Sequence, residues 1–127
     1  MDFDTFIASI ESEFPIGSAF DNPGGGTSTI VRLTETHISY RRGNSNISVA
    51  YRDLFEAYSN FIGQEVSSSD LRRFRPSVFD SSARPSGHSC NCTFLFHVLE
   101  ILGLSGLLQG SGVRGNPYAV EVLDNAV

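Results

Sequence analysis

Phe3, Phe6, Ile7, Ile10 and Phe14 recur at intervals of three and four residues, a stripe that predicts an amphipathic helix at the start of the chain. Asp2 and Asp4 stand in its first turn, where the helix dipole favours acids. The stripe needs cover, so the helix is expected to dock on the body or on a second copy of the chain. The run "PIGSAFDNPGGGTS" is dense in Pro, Gly, Ser and Asn and is expected to be a loop. "TIVRLTETHISYRRGNSNISVAY" then alternates and breaks as a strand meander does, with turns near Glu35-Thr36 and over residues 43–46. Leu54, Tyr58, Phe61 and Ile62 mark another amphipathic helix, stopped by Gly63. Ser67-Ser68-Ser69-Asp70 has the spacing of a capping box and opens a short helix, "DLRRFR", that Pro76 ends. After a polar loop, "DSSARPSGHS", the stretch "CNCTFLFHVLEILG" predicts a helix with Leu95, Val98, Leu99 and Leu102 on one face and Gly103 at its close. "GSGVRGNPYAVEVL" reads as the tip and return strand of a β-hairpin.

A chain of 127 residues with 40% apolar content suits one buried core, so a single domain over 1–127 is expected, with parts at 1–49 and 50–123. Nowhere do about 18 apolar residues run together, and the N-terminus is acidic where a secretory signal is basic. The expectation is a soluble, cytoplasmic protein that engages no membrane.

Charge changes the picture more than composition does. The net charge of −5 argues against a generic nucleic-acid binder, yet it hides an asymmetry. Residues 1–31 carry five acids and no base, whereas from Arg32 to Arg114 nine arginines face seven acids. All the basic charge is central, and all of it is arginine, whose planar fork suits phosphates and base edges.

From residue 50 onward the order is helix, short helix, apolar helix and a hairpin with a glycine-rich tip. There "FLFHVLEILGLSGLLQGSGVRGNPYAVEVL" resembles the second half of a winged helix-turn-helix domain. In that family a recognition helix ends in L-x-x-L-G-L, matched by Leu99 to Leu104, and a strand, a basic Gly-rich wing and a closing strand follow. The resemblance covers roughly residues 50–123; the 80–89 loop is longer than a tight helix-turn-helix turn, and the first fifty residues have no counterpart. The fold class expected is α+β: an N-terminal helix and a small antiparallel β-meander joined to a winged-helix-like half with a C-terminal β-hairpin wing.

The resemblance implies that the helix from Ser89 reads duplex DNA. With Leu95, Leu99 and Leu102 inward, Ser89, Thr93, Phe96, His97 and Glu100 fall on the outer side, and Ser89, Asn91 and Thr93 supply the small polar N-terminal positions that reach bases and phosphates. Ser89 has the alternative of capping the helix, and Phe96 that of packing under another element. "YRRGNSN" and "GVRGNPY" each set Arg-Gly-Asn in a turn, placing Arg42, beside Arg41, and Arg114, beside Asn116, at hairpin tips. Arg72 and Arg73, with Arg75, lie on the short helix where backbone contacts are common in that family, and Arg84 lies in the polar loop. Arg41, Arg42, Arg72, Arg73, Arg84, Ser89, Asn91, Thr93, Arg114 and Asn116 are therefore the expected nucleic-acid contacts.

Other chemistries fit less well. Cys90 and Cys92 are badly spaced for bonding each other, and with a nearby histidine they supply at most three metal ligands. Cys90 with His88 or His97 offers a thiol and base, against the reading in which Cys92 packs in the core and Cys90 at the helix edge. "NPGGGTST" lacks the lysine and the following helix of a phosphate loop. No enzyme, metal or cofactor is expected. The expected partner is nucleic acid, duplex DNA favoured, in a homodimer or a larger protein; a protein-interaction module on the same scaffold is the alternative, and a thiol-dependent enzyme the third reading.

Overall fold

The computed structural model describes residues 1–124. The fold is α+β, and its elements follow the chain as α1 (Phe3–Glu13), β1 (Ala19–Asp21), β2 (Thr27–Leu33), β3 (His37–Arg42), β4 (Ser45–Ala50), α2 (Tyr51–Asn60), β5 (Glu65–Ser67), α3 (Ser68–Phe74), α4 (Pro76–Phe79), α5 (Cys90–Ile101) and β6 (Ala119–Glu121). Two compact units divide it, Met1–Phe55 and Glu56–Val127, with the boundary inside α2 rather than near residue 50. Among the described residues no helix is long and apolar enough to cross a membrane.

In the first unit Asp2 caps α1, its carboxylate accepting the Thr5 N–H at 2.8 Å, a bond that holds its pKa below the usual carboxylate range. Phe6, Ile10 and Phe14 of the expected stripe are buried, and the Phe3 and Phe6 rings each lie 5.3 Å from Phe55. The four strands form one antiparallel sheet in the order β1-β2-β3-β4. Ile30, Ile38, Tyr40, Ile47 and Val49 alternate onto its buried face. The meander and its turns fall where the alternation puts them. β1, however, lies in the stretch expected to be a loop: Ala19, Phe20 and Asp21 pair with β2 across a turn in which Gly25 and Gly26 have φ of 110° and 77°. A bulge between Ile30 and Arg32 also shifts the register of β2 on β3.

The Tyr51 hydroxyl is fully buried and is the one buried side-chain polar atom without a hydrogen bond among the described residues. Burial raises its pKa, with Glu11 adding to the effect. Removing an unsatisfied hydroxyl while keeping the ring relieves its desolvation cost, so Tyr51→Phe should raise stability by about 1 kcal/mol. A melting curve that moves down would refute this.

In the second unit the capping box forms as expected: Asp70 N–H donates to Ser67 Oγ at 3.1 Å and Ser67 N–H donates to the Asp70 carboxylate at 2.9 Å. The Ser67 N–H is the largest influence holding the Asp70 pKa down, ahead of the Ser67 hydroxyl and Arg73. Pro76 does more than end α3, because it occupies the first turn of α4. β6 pairs antiparallel with β5 through Glu65↔Glu121, Val66↔Val120 and Ser67↔Ala119. On its other side it meets the segment after α5 only through bridges, Ser105↔Val122 and Gln109↔Ala119. That arm holds one residue more than its partner between the bridges, so the expected hairpin strand is bulged rather than continuous.

Candidate nucleic-acid interface

Arg41 and Arg42 belong to the first unit and close β3 before the turn at Gly43, whose φ is 59°. Successive strand residues face opposite sides, so the two arginines do not share one surface. Arg42 pairs with buried Ser28 on the inner side and is half-buried, which corrects the expectation of an arginine standing at the tip. Arg41 is exposed on the outer side, where its Nε donates to Asn46 Oδ1 at 3.0 Å. Arg32, absent from the expected set, is exposed on that same side, across from Ser39.

The arginines of α3 lie in the second unit and are engaged locally. Arg72 Nη2 donates to Ser69 Oγ at 3.1 Å. It also contributes, after the Ser82 N–H and hydroxyl, to holding the Asp80 carboxyl below its usual pKa. Arg73 pairs with Asp70 at 2.6 Å, but its side chain is 73% exposed, and a pair of that kind is worth little enough to exchange for a ligand. Arg75 pairs with Glu56 at 3.0 Å and lies over Phe74. Arg84 is exposed, and its side chain has no hydrogen-bond or ion-pair partner among the described residues.

The helix expected to read bases is built differently from a groove-reading helix. Seven of the twelve residues of α5 are buried, including Phe94 and Phe96 on either side of Leu95. Phe96, expected on the outer side, is therefore core. Asn91 is 1% exposed and its Nδ2 donates to Val78 O at 2.9 Å, so its amide is committed within the protein and not free for a base edge. Ser89 takes the N-cap position of α5 without a side-chain cap bond, and it does not stand free, since Ser89 Oγ accepts the Ser81 N–H while Ser81 Oγ accepts the Ser89 N–H. Thr93 is half-buried, its hydroxyl turned back onto Cys90 O at 3.2 Å. The half-buried stripe left on α5 is Cys90, Thr93, His97 and Glu100. Burial lowers the His97 pKa from the ordinary histidine value, which favours the neutral imidazole over a phosphate-binding cation.

Cys92 is buried, with its thiol pushed up to about 12 by burial, and it donates toward Phe79 O at 3.6 Å. Such a thiol is a poor nucleophile. Among the described residues no three His, Cys, Asp or Glu side chains stand together as a metal site.

The C-terminal hairpin presents its arginine differently. Gln109 and Ala119 exchange both backbone hydrogen bonds, and beyond them the chain turns over residues 110–118. Ser111 and Gly112 N–H donate to Asn116 O, Asn116 N–H donates to Val113 O, and Asn116 Nδ2 donates to Ser111 Oγ at 2.9 Å. Asn116 thus shapes the tip. Gly110 and Gly112 have φ of 88° and 75°, and a Cβ would lie 2.0 Å from Pro117 O at the first and 2.4 Å from the Tyr118 ring at the second. Arg114 stands exposed on this bonded frame with no side-chain partner among the described residues. No protein-family model, curated protein or solved structure matches the chain.

Proposed function

We propose that the chain is a non-catalytic nucleic-acid-binding protein, with duplex DNA the favoured ligand, and that its second unit acts as a winged-helix-like module. The carrying observation is Arg114: an exposed guanidinium, unpaired by any carboxylate among the described residues, on a tip braced by its own hydrogen bonds. Fixed geometry lowers the ordering cost of binding, and neutralising a phosphate releases counterions. The chain order α2, β5, α3, α4, α5, arm, tip and β6, with β6 between β5 and the arm, supports the winged-helix reading, α4 being one added turn of helix before α5. The burial of α5 shifts the expected grip away from Ser89 and Asn91 and onto the arginines. Arg114 leads, and Arg84 and Arg73 are the other exposed arginines of the same unit.

Arg114→Ala should change stability by no more than about 0.5 kcal/mol, because the side chain is exposed and makes no hydrogen bond or ion pair among the described residues. Affinity for duplex DNA should fall by about 1 kcal/mol or more, and the slope of log affinity against log salt should drop by about one. Unchanged affinity with an intact fold would refute the role of the wing. The alternative, a protein-interaction module, is favoured by Leu107 and Val113, which are 76% and 59% exposed on the same hairpin. Cys92, buried and with its pKa pushed up to about 12, is unsuited to a thiol-dependent reaction, and that third reading rests on the half-buried Cys90.

A further inference from the structure

We infer that the outer face of the first unit's sheet is a second phosphate-binding surface, built on Arg32 and Arg41, along which a phosphodiester backbone lies. This rests on the nucleic-acid reading and extends it to a surface outside the winged-helix-like unit. Strand alternation and the bulge produce the face. Thr29, Arg41 and Asn46 form one cross-strand row, and Arg32, Ser39 and Ser48 form the next. Without the bulge at Ile30/Arg32, residue 32 would share the inner face with Ile30; the extra residue turns Arg32 outward.

Arg32 and Arg41 are then diagonal neighbours, with Cβ atoms about 7 Å apart. An opposite charge directly across a strand pair stabilises a charged residue. Here the partners of Arg41 are Thr29 and Asn46, and that of Arg32 is Ser39. The carboxylates Asp21 and Glu35 lie at a corner of the sheet and in the β2–β3 turn, and neither is opposite an arginine. Two cations side by side repel until an anion joins them, so the face is complementary to an oxyanion.

The neutral groups add direction. Asn46 Oδ1 takes the Arg41 Nε–H and so orients the guanidinium, whose terminal N–H groups meet no acceptor among the described residues. The Ser39 and Ser48 hydroxyls bond each other at 2.5 Å. Only one proton is used in that bond; with buried Ser39 donating, exposed Ser48 keeps its own to offer to a phosphate oxygen.

The test uses the full chain, a short labelled mixed-sequence duplex and about 50 mM salt, where phosphate contacts are strongest. Arg32→Ala/Arg41→Ala should lower affinity about tenfold and the salt slope by about two, with the melting temperature preserved. Ser48→Asp, an exposed change that sets a carboxylate beside the arginines, should also lower affinity. Titrating wild type with inorganic phosphate should shift the amide resonances of Thr29, Ser39, Arg41 and Ser48. If Arg114→Ala weakens binding while the double substitution and Ser48→Asp do not, this inference falls and the proposed function stands. A wild-type chain that binds no nucleic acid sinks both. Displacement by poly-glutamate as readily as by unlabelled duplex would assign the face to an acidic peptide and overturn the inference.

Discussion

Phe96→Ala is expected to cost about 3–5 kcal/mol of folding stability. The ring is 1% exposed within a helix buried at Asn91, Cys92, Phe94, Leu95, Val98 and Leu99 as well. Truncation removes the transfer free energy of a phenyl group and leaves a cavity that neighbouring aromatic and leucine side chains cannot close without leaving their rotamers. The substitution separates two pictures of α5. An outward Phe96 on a groove-reading helix could be truncated with a change within about 0.5 kcal/mol, and the loss would appear in DNA affinity instead. Urea denaturation gives the answer, and a cost under about 1 kcal/mol would contradict the buried placement. Thr93→Ala, on the half-buried stripe, should show a far smaller change in the same assay.

Gly110→Ala should have the largest effect on the proposed interface of any single methyl group. The backbone there has φ of 88°, and the new Cβ would lie 2.0 Å from Pro117 O and 3.2 Å from Tyr118 Cα. Both obstacles are backbone, so neither can swing aside as a side chain would. Left-handed strain of about 1–2 kcal/mol adds to the clash, and relief requires the arms to part at the Gln109 and Ala119 pair. Arg114 then loses its frame, and DNA affinity should fall at least as far as in Arg114→Ala. Gly115→Ala is the matched control: φ is 84° but nothing lies within 4 Å of its Cβ, so only the backbone strain remains. Equal melting temperatures and affinities for the two alanine variants would refute the fixed-tip account.

Local features were legible in the sequence. The α1 stripe, the meander turns, the Ser67/Asp70 capping box and Gly103, with φ of 72° after α5, each depend on residues within a few positions of one another. The exposure of Arg114 belongs with them, because its flanking glycines leave nothing to bury it. What escaped depends on distant partners. The strand at Phe20 exists because β2 lies beside it, and nothing in a Pro- and Gly-rich run announces that neighbour. The Ile30/Arg32 bulge reverses the facing of Arg32, and strict alternation reads that residue the other way. A helical wheel assigned α5 one buried face, whereas Asn91 finds its partner thirteen residues back at Val78 and Ser89 its partner eight residues back at Ser81. Polar side chains whose partners are that remote look free in the sequence and are not. Arg42 shows the same limit at shorter range: its tripeptide matches that of Arg114, but a two-residue turn leaves it in the strand opposite Ser28.

The central claim is that this acidic chain grips phosphates through its arginines, and a salt titration tests it most directly. Full-length protein with a mixed-sequence duplex should bind at about 50 mM salt and lose affinity linearly on a log–log plot toward about 200 mM, with a slope reporting the phosphates neutralised. No detectable binding to DNA or RNA at about 50 mM salt, or an affinity indifferent to salt, would contradict the account.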